Sequence, residues 1–169
     1  MGSFEHKFDS AKQEWTTPQT LFDRLNQEFH FTIDLAADAT NTKCKQYFDA
    51  EKNGLLQSWK GVGWLNPPYG AKEQRLEHWV KKAHSTQQQG NATVVMLIPA
   101  RTNTRWWHQY CMAAAEVRFI CGRPKFGSAE HGLPQPLALV VFRKHQEPTQ
   151  FGSFYLDQRQ TPQPSMWAR

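Results

Sequence analysis

Disulfide chemistry, metal-ligand spacing and membrane-length apolar runs are all missing from this chain. Its three cysteines, Cys44, Cys111 and Cys121, form no Cys-x-x-Cys pair. With no secretory context they read as reduced thiols of a cytoplasmic protein. The seven histidines are scattered, which argues against a metal site. No apolar run approaches the roughly 20 residues that a helix needs to cross a bilayer, so no membrane partner is expected. The opening Met1-Gly2-Ser3-Phe4-Glu5-His6-Lys7 does not have the form of a signal peptide. Internal repeats are absent too, which excludes a solenoid. A strong charge of one sign is also missing. The formal net charge is +5 and the pI about 9.2, so an acidic partner is plausible without being demanded.

What is present suits one compact unit. The 169 residues suffice for a single domain with a sizeable core. Seven tryptophans are many for that length, and some must be buried. The basic residues are dispersed, among them Lys43, Lys45, Arg75, Lys81, Lys82, Arg101, Arg105, Arg118, Arg123 and Lys125. Such a distribution suits a surface assembled by folding rather than a basic tail.

Thr16 or Thr17 suits a helix cap, with Pro18 at the first helical position. Leu21, Phe22, Leu25 and Phe29 follow at helical spacing. Residues 29–35 alternate apolar and polar and predict a strand. Residues 38–58 are irregular, with a short helix predicted near 43–48. A strand over 62–65 precedes a helix over 71–88 that carries Leu76, Trp79, Val80 and Ala83. The nearly continuous apolar run 92–98 predicts a central parallel strand. A helix over 102–115, capped by Thr102 or Asn103, holds Trp106 and Trp107, which must point different ways. Strands over 116–120 and 137–142 have no helix between them, and 154–156 suits an edge strand. Strands alternating with helices predict a three-layer α/β fold with a mainly parallel sheet. The expected division is a flexible N-terminus (1–14), a domain (15–145) and a C-terminal tail (146–169).

The most informative stretch is Asn66-Pro67-Pro68-Tyr69, directly after the predicted strand at 62–65. Proline ends a strand because it carries no N–H and fixes φ. The result is a rigid, acceptor-rich corner with a flat ring beside it, at the carboxyl end of a strand, where open α/β sheets bind ligands. An acceptor pair next to a stacking ring is what an exocyclic amino group on a planar base requires.

Asn66-Pro67-Pro68-Tyr69 resembles the catalytic motif of amino-group methyltransferases that use S-adenosylmethionine. The wider pattern is similar to the phage-type DNA N6-adenine methyltransferase family. It runs from Trp15-Thr16-Thr17-Pro18 through Asp34-Leu35-Ala36-Ala37 and Asn53-Gly54-Leu55 to the Asn66 motif. It continues in Leu97-Ile98-Pro99-Ala100-Arg101 with Trp106-Trp107, then Gly122-Arg123-Pro124-Lys125-Phe126. The resemblance implies a shortened Rossmann-like methyltransferase fold ending in an antiparallel hairpin. It also implies methyl transfer to adenine in DNA, with the base flipped into the pocket.

By the same resemblance, Asn66, Pro67, Pro68 and Tyr69 are the catalytic set. The Asn66 side-chain oxygen and the Pro67 carbonyl accept the two amino hydrogens, and Tyr69 stacks on the base. Trp15, Thr16, Thr17, Pro18, Asp34, Leu35, Ala36 and Asp38 are expected to hold the cofactor. Asp38 and Asp49 are the two candidates for its ribose. Arg101, Thr102, Thr104, Arg105, Arg123 and Lys125 are expected on DNA, with Phe126 a second aromatic wall. Two departures stand out. The loop after Asp34 reads Leu35-Ala36-Ala37-Asp38-Ala39-Thr40 where the family pattern is glycine-rich, so it must take another shape. The interval from Asp34 to Asn66 is also too short for the two further strand–helix units usual there.

Three functional readings share this corner. One is a DNA adenine methyltransferase of loose sequence preference. The second methylates a protein glutamine or an RNA base, because the motif serves any planar amino nitrogen. The third is a non-catalytic DNA-binding relic, favoured by the missing glycines.

Overall fold

The computed structural model describes residues 16–69, 75–127, 134–157 and 159. Helix α1 (Gln19–Phe29) is followed by two short strands, β1 (Ile33–Asp34) and β2 (Gln46–Tyr47). A 3-10 turn (Gly54–Leu56) leads into β3 (Gly61–Leu65), helix α2 (Leu76–Gln89) and the long strand β4 (Ala92–Pro99). Helix α3 (Arg105–Tyr110) runs into a second 3-10 turn (Cys111–Ala113). Strands β5 (Glu116–Cys121), β6 (Leu137–Phe142) and β7 (Gln150–Tyr155) complete the order.

The seven strands form one sheet in the order β2-β1-β3-β4-β6-β5-β7. The β2–β1, β1–β3, β3–β4 and β5–β7 pairings are parallel, and β6 lies antiparallel to both β4 and β5. This is a shortened Rossmann-like sheet, mainly parallel, with the expected antiparallel hairpin between β5 and β6. From β1 the chain moves outward to β2, then crosses back to β3 and continues to β4 on the other side. The direction of winding therefore reverses between β1 and β3, and a crevice opens at their carboxyl ends.

Side-chain alternation splits the core into two layers. Val94, Met96 and Ile98 of β4, with Ala138, Val140 and Phe142 of β6, meet Trp79, Val80, Trp106 and Trp107 on the α2–α3 side. Val95, Leu97, Leu139 and Val141 meet Leu21, Phe22 and Leu25 of α1 on the other, together with Trp64. All six β6 residues are buried, as a strand covered on both faces requires. Trp106 and Trp107 are both buried, their rings 6.0 Å apart at 59°, because α3 also packs against α2.

Several local expectations are corrected. The apolar stretch 29–35 starts inside α1, and only Ile33–Asp34 pair as strand; Asn26 bonds the Phe31 amide and turns the chain there. The helix predicted near 43–48 is instead β2, drawn into the sheet by parallel pairing with β1. The helix predicted over 102–115 forms only at Arg105–Tyr110, because Thr104 closes a turn onto the Arg101 carbonyl. Neither Thr16 nor Thr17 caps α1: Pro18 occupies the cap position. The stretch 146–169 contributes β7, which begins four residues before the predicted edge strand.

Arg118 is spent inside the fold. It bridges Glu28 of α1 at 2.6 Å and Glu116 of β5 at 2.5 Å, and Arg143 also pairs with Glu116. The Arg118 guanidinium holds the Glu28 carboxyl below its ordinary range. Arg118 therefore locks α1 to the sheet rather than adding to a basic surface.

Candidate active site

The reversal point of the sheet holds a cavity of about 260 Å³. It is lined by Thr16, Thr17, Asp34, Ala36, Asp38, Asn41, Lys43, Trp64, Asn66, Pro67 and Pro68. Asp34 ends β1, Asn66 follows the last residue of β3, and the two strands are neighbours with Asp34 opposite Trp64. Sheet register alone thus brings together residues 32 positions apart in the chain. A second cavity of about 210 Å³ shares Ala36, Asp38, Asn41 and Pro68 with the first, and is closed by Phe48, Asp49, Asn53, Gly54 and Trp79. Together they reach the size of a small-molecule site, roughly 300–1,000 Å³.

Asp34 is 3% exposed. Its carboxylate accepts from the Lys43 amide at 3.1 Å and the Ala36 amide at 3.4 Å. Burial pushes its pKa up to about 6, against the opposing pull of those amides and the Lys43 charge. A buried anion whose hydrogen bonds do not offset its desolvation favours a cationic ligand beside it. The loop that follows needs no glycine. Leu35 bonds Trp64, Ala37 bonds Phe48 and Phe48 bonds Asp34 through their backbones. Among the described residues the left-handed non-glycine positions are His30 and Asn53, both outside this loop.

The amide of Asn66 is engaged at both ends. Its Nδ2 donates to Thr17 Oγ1 at 3.2 Å, and its Oδ1 lies 2.7 Å from the Tyr69 hydroxyl. That hydroxyl also reaches the Leu97 carbonyl of β4 at 2.9 Å, so two acceptors share one proton. Burial drives the phenol pKa far up, and Tyr69 stays protonated. Its ring packs against the α2-side core.

The other expected residues are not all in the crevice. Leu35 is a core residue, with Gly63 leaving just enough room for it: a Cβ there would lie 2.5 Å from Leu35 Cδ1. Pro18 serves the start of α1, and Trp15 lies outside the described residues. Asp38 lines both cavities, but its carboxylate ties the turn through Thr40 and Asn41, and the Thr40 bonds hold it below the ordinary carboxylate range. Phe126 is only 3% exposed, in the α1-side core, rather than open to a base. Beside it Gly127 donates to the Thr16 carbonyl at 3.1 Å, which seats this segment against the crevice. Arg101, Thr102, Arg105, Arg123 and Lys125 are exposed, and Thr104 is half-buried with its hydroxyl on the Arg101 carbonyl. Arg101 and Arg105 follow the carboxyl end of β4.

Sequence reasoning missed Asn41, Lys43, Trp64, Phe48, Asn53 and Trp79 as cavity walls. One signal was available: Asn53-Gly54-Leu55 is part of the family pattern. Gly54 is needed because a Cβ there would lie 2.2 Å from the Leu35 carbonyl oxygen. Asn53, at φ 50°, caps the following turn by accepting from the Leu55 amide.

The chain is 34% identical over 116 residues to a DNA N-6-adenine-methyltransferase of Escherichia phage T1, covering 66% of this chain and 46% of that protein. It is also 34% identical over 114 residues to a DNA N-6-adenine-methyltransferase of Haemophilus phage HP1 (strain HP1c1), covering 66% of this chain and 64% of that protein. The chain thus spans about half to just under two thirds of the curated relatives it matches. The family model "DNA N-6-adenine-methyltransferase (Dam)" matches residues 5–153. By this match, which covers most of its length, the chain belongs to the DNA N-6-adenine-methyltransferase family.

Proposed function

We propose that this chain transfers a methyl group from S-adenosylmethionine to the exocyclic amino group of adenine in DNA. The observation that carries the reading is the shared cavity, where the buried Asp34 and the Asn66–Pro67 acceptors line one space. When bound, S-adenosylmethionine supplies a methyl group made electrophilic by a sulfonium. Its positive charges suit a crevice floored by the Asp34 carboxylate, whose raised pKa marks a site that gains from a cation. Thr16, Ala36, Asn41 and Lys43 line the same space. Asp49 closes the adjoining cavity just after β2 and is the candidate for the ribose hydroxyls.

On the base side, adenine's amino nitrogen is a poor nucleophile because its lone pair is delocalised into the ring. Asn66 Oδ1 and the Pro67 carbonyl accept its two hydrogens and turn the lone pair out of the ring plane. Asn66 is not a base strong enough to remove a proton, so positioning and fixed dipoles supply the catalysis. The proton leaves to solvent after transfer. Extruding the base costs a few kcal/mol and is offset in the pocket, where the Tyr69 ring face adds stacking. In this reading the exposed Arg101, Arg105, Arg123 and Lys125 hold phosphates. The setting is the cytoplasm of a bacterial or phage-infected cell.

Purified protein with labelled cofactor and adenine-containing duplex DNA should yield N6-methyladenine, with protein and RNA as competing substrates. Label in glutamine or RNA but none in DNA would overturn the reading.

A further inference from the structure

We infer that Thr17 is a positioning residue that holds the Asn66 amide in its productive orientation, rather than a contact for the cofactor. The inference rests on the role of Asn66 in the methyl-transfer reading above.

Thr17 is 4% exposed, and a hydroxyl buried that deeply needs a partner. The helix start does not provide one. Pro18 caps α1 through its carbonyl, which accepts from the Leu21 and Phe22 amides, and no side chain caps the helix. The Thr17 hydroxyl is used instead on Asn66 Nδ2, 49 positions away in the chain.

The frame behind this bond is stiff. Leu21, Phe22 and Leu25 fix α1 in the core beside Trp64, two residues before Asn66. Arg118 fixes the far end of α1 through Glu28. The Gly127 amide fixes the Thr16 carbonyl.

Asparagine especially needs such a hold. Its terminal torsion is broad and nearly two-fold. One face of the amide turn offers an acceptor to an amino group, and the opposite one offers N–H donors that repel it. In this site Thr17, directly before the Pro18 cap of α1, grips the amide from one side, and strand β4 grips it through Leu97 and Tyr69. A bond that only orients another side chain contributes by preorganisation, so its loss should appear in the transfer step and not in cofactor binding.

The test compares Thr17→Val, which keeps the shape and removes the hydroxyl, with Thr17→Ser, which keeps the hydroxyl. Thr17→Ala replaces the valine variant if that one does not fold. At saturating S-adenosylmethionine, single-turnover methylation of adenine DNA should fall about 10- to 100-fold in Thr17→Val, the scale of a misplaced catalytic group. Thr17→Ser should stay within about threefold of wild type, and the cofactor Kd of both variants within about threefold. Separately, the Asn66 side-chain amide signals in nitrogen-15 spectra, identified by their loss in Asn66→Asp, should move in Thr17→Val and hold in Thr17→Ser. A weakened Kd with an unchanged rate at saturation would make Thr17 a cofactor contact and overturn the inference. Unmoved amide signals in Thr17→Val would overturn it as well. If the wild-type protein methylates no adenine, the activity reading fails, and the amide signals still decide the role of Thr17.

Discussion

The Tyr69 hydroxyl lies 2.7 Å from Asn66 Oδ1, within the Asn66-Pro67-Pro68-Tyr69 stretch itself, and 2.9 Å from the Leu97 carbonyl on the next strand. A tyrosine used only as a stacking surface has no need of either contact. Tyr69→Phe should therefore cost about tenfold in methyl transfer, the scale of one net hydrogen bond. Tyr69→Ala should cost more, because it also gives up base stacking worth about 1–3 kcal/mol. Single-turnover rates of the two variants check this, and equal losses would mean that the ring itself contributes nothing.

Asn66→Ala removes one of the two acceptors offered to the amino group. Methyl transfer should drop at least about a hundredfold, as when one preorganised polar group is lost from a reacting centre. Cofactor affinity, read by calorimetry, should stay near wild type. Near-normal transfer by a folded Asn66→Ala protein would sink the catalytic assignment.

The role proposed for Asp34 predicts a pH dependence of cofactor binding. Its carboxyl is raised by burial from an ordinary 3.8 to about 6, and only the ionised form attracts a cationic ligand. Affinity for S-adenosylmethionine should therefore weaken as pH falls through about 6. A pH titration of Kd that stays flat from 8 to 5 would remove Asp34 from the binding role.

The same residue predicts a trade between binding and stability. A carboxyl whose native value lies above its unfolded value destabilises the fold as pH rises between the two. The ligand-free protein should thus lose stability from about pH 4 to 6, by at most about 3 kcal/mol at 1.4 kcal/mol for each pH unit of difference. Asp34→Asn should raise the Tm of the ligand-free protein at pH 8 and abolish the thermal shift that cofactor gives the wild type. Scanning calorimetry with and without cofactor reads both effects, and a lower Tm for the variant would contradict the first.

Arg101 and Lys125 are exposed on the segments that flank the crevice. Arg101→Ala and Lys125→Ala should each weaken DNA binding by a similar factor on two unrelated sequences. Each should also flatten the salt dependence by just under one unit, the contribution of one phosphate contact. Unchanged slopes would place the DNA surface elsewhere.

The parts legible in the sequence are those fixed by short-range chemistry. Two prolines after 62–65 mark the end of β3, and the nearly continuous apolar run 92–98 marks a strand buried on both faces. The parts not legible are set by partners far along the chain. Two residues become β2 only because β1 lies beside them. The Thr17 hydroxyl follows Asn66 rather than the local capping rule. Phe126 sits in a polar, proline-rich loop but finds the α1-side core, a destination that no periodicity reveals. Alternation in 29–35 imitated a strand because the last turn of α1 and the pair Phe29–Phe31, stacked at 5.9 Å, put aromatics on every second position.

The sheet ends, beside the crevice, in a strand of two residues. Gln46–Tyr47 lies at the edge of the sheet, paired with β1, and the Phe48 amide on the Asp34 carbonyl and the Ala37 amide on the Phe48 carbonyl continue that attachment. An edge strand of two residues should open more often than the centre of the sheet. Deuterium should enter the Ala37 and Phe48 amides long before those of β4, and cofactor should slow it there. The outermost strand beside the crevice is thus the part of the sheet whose exchange a bound ligand should change most.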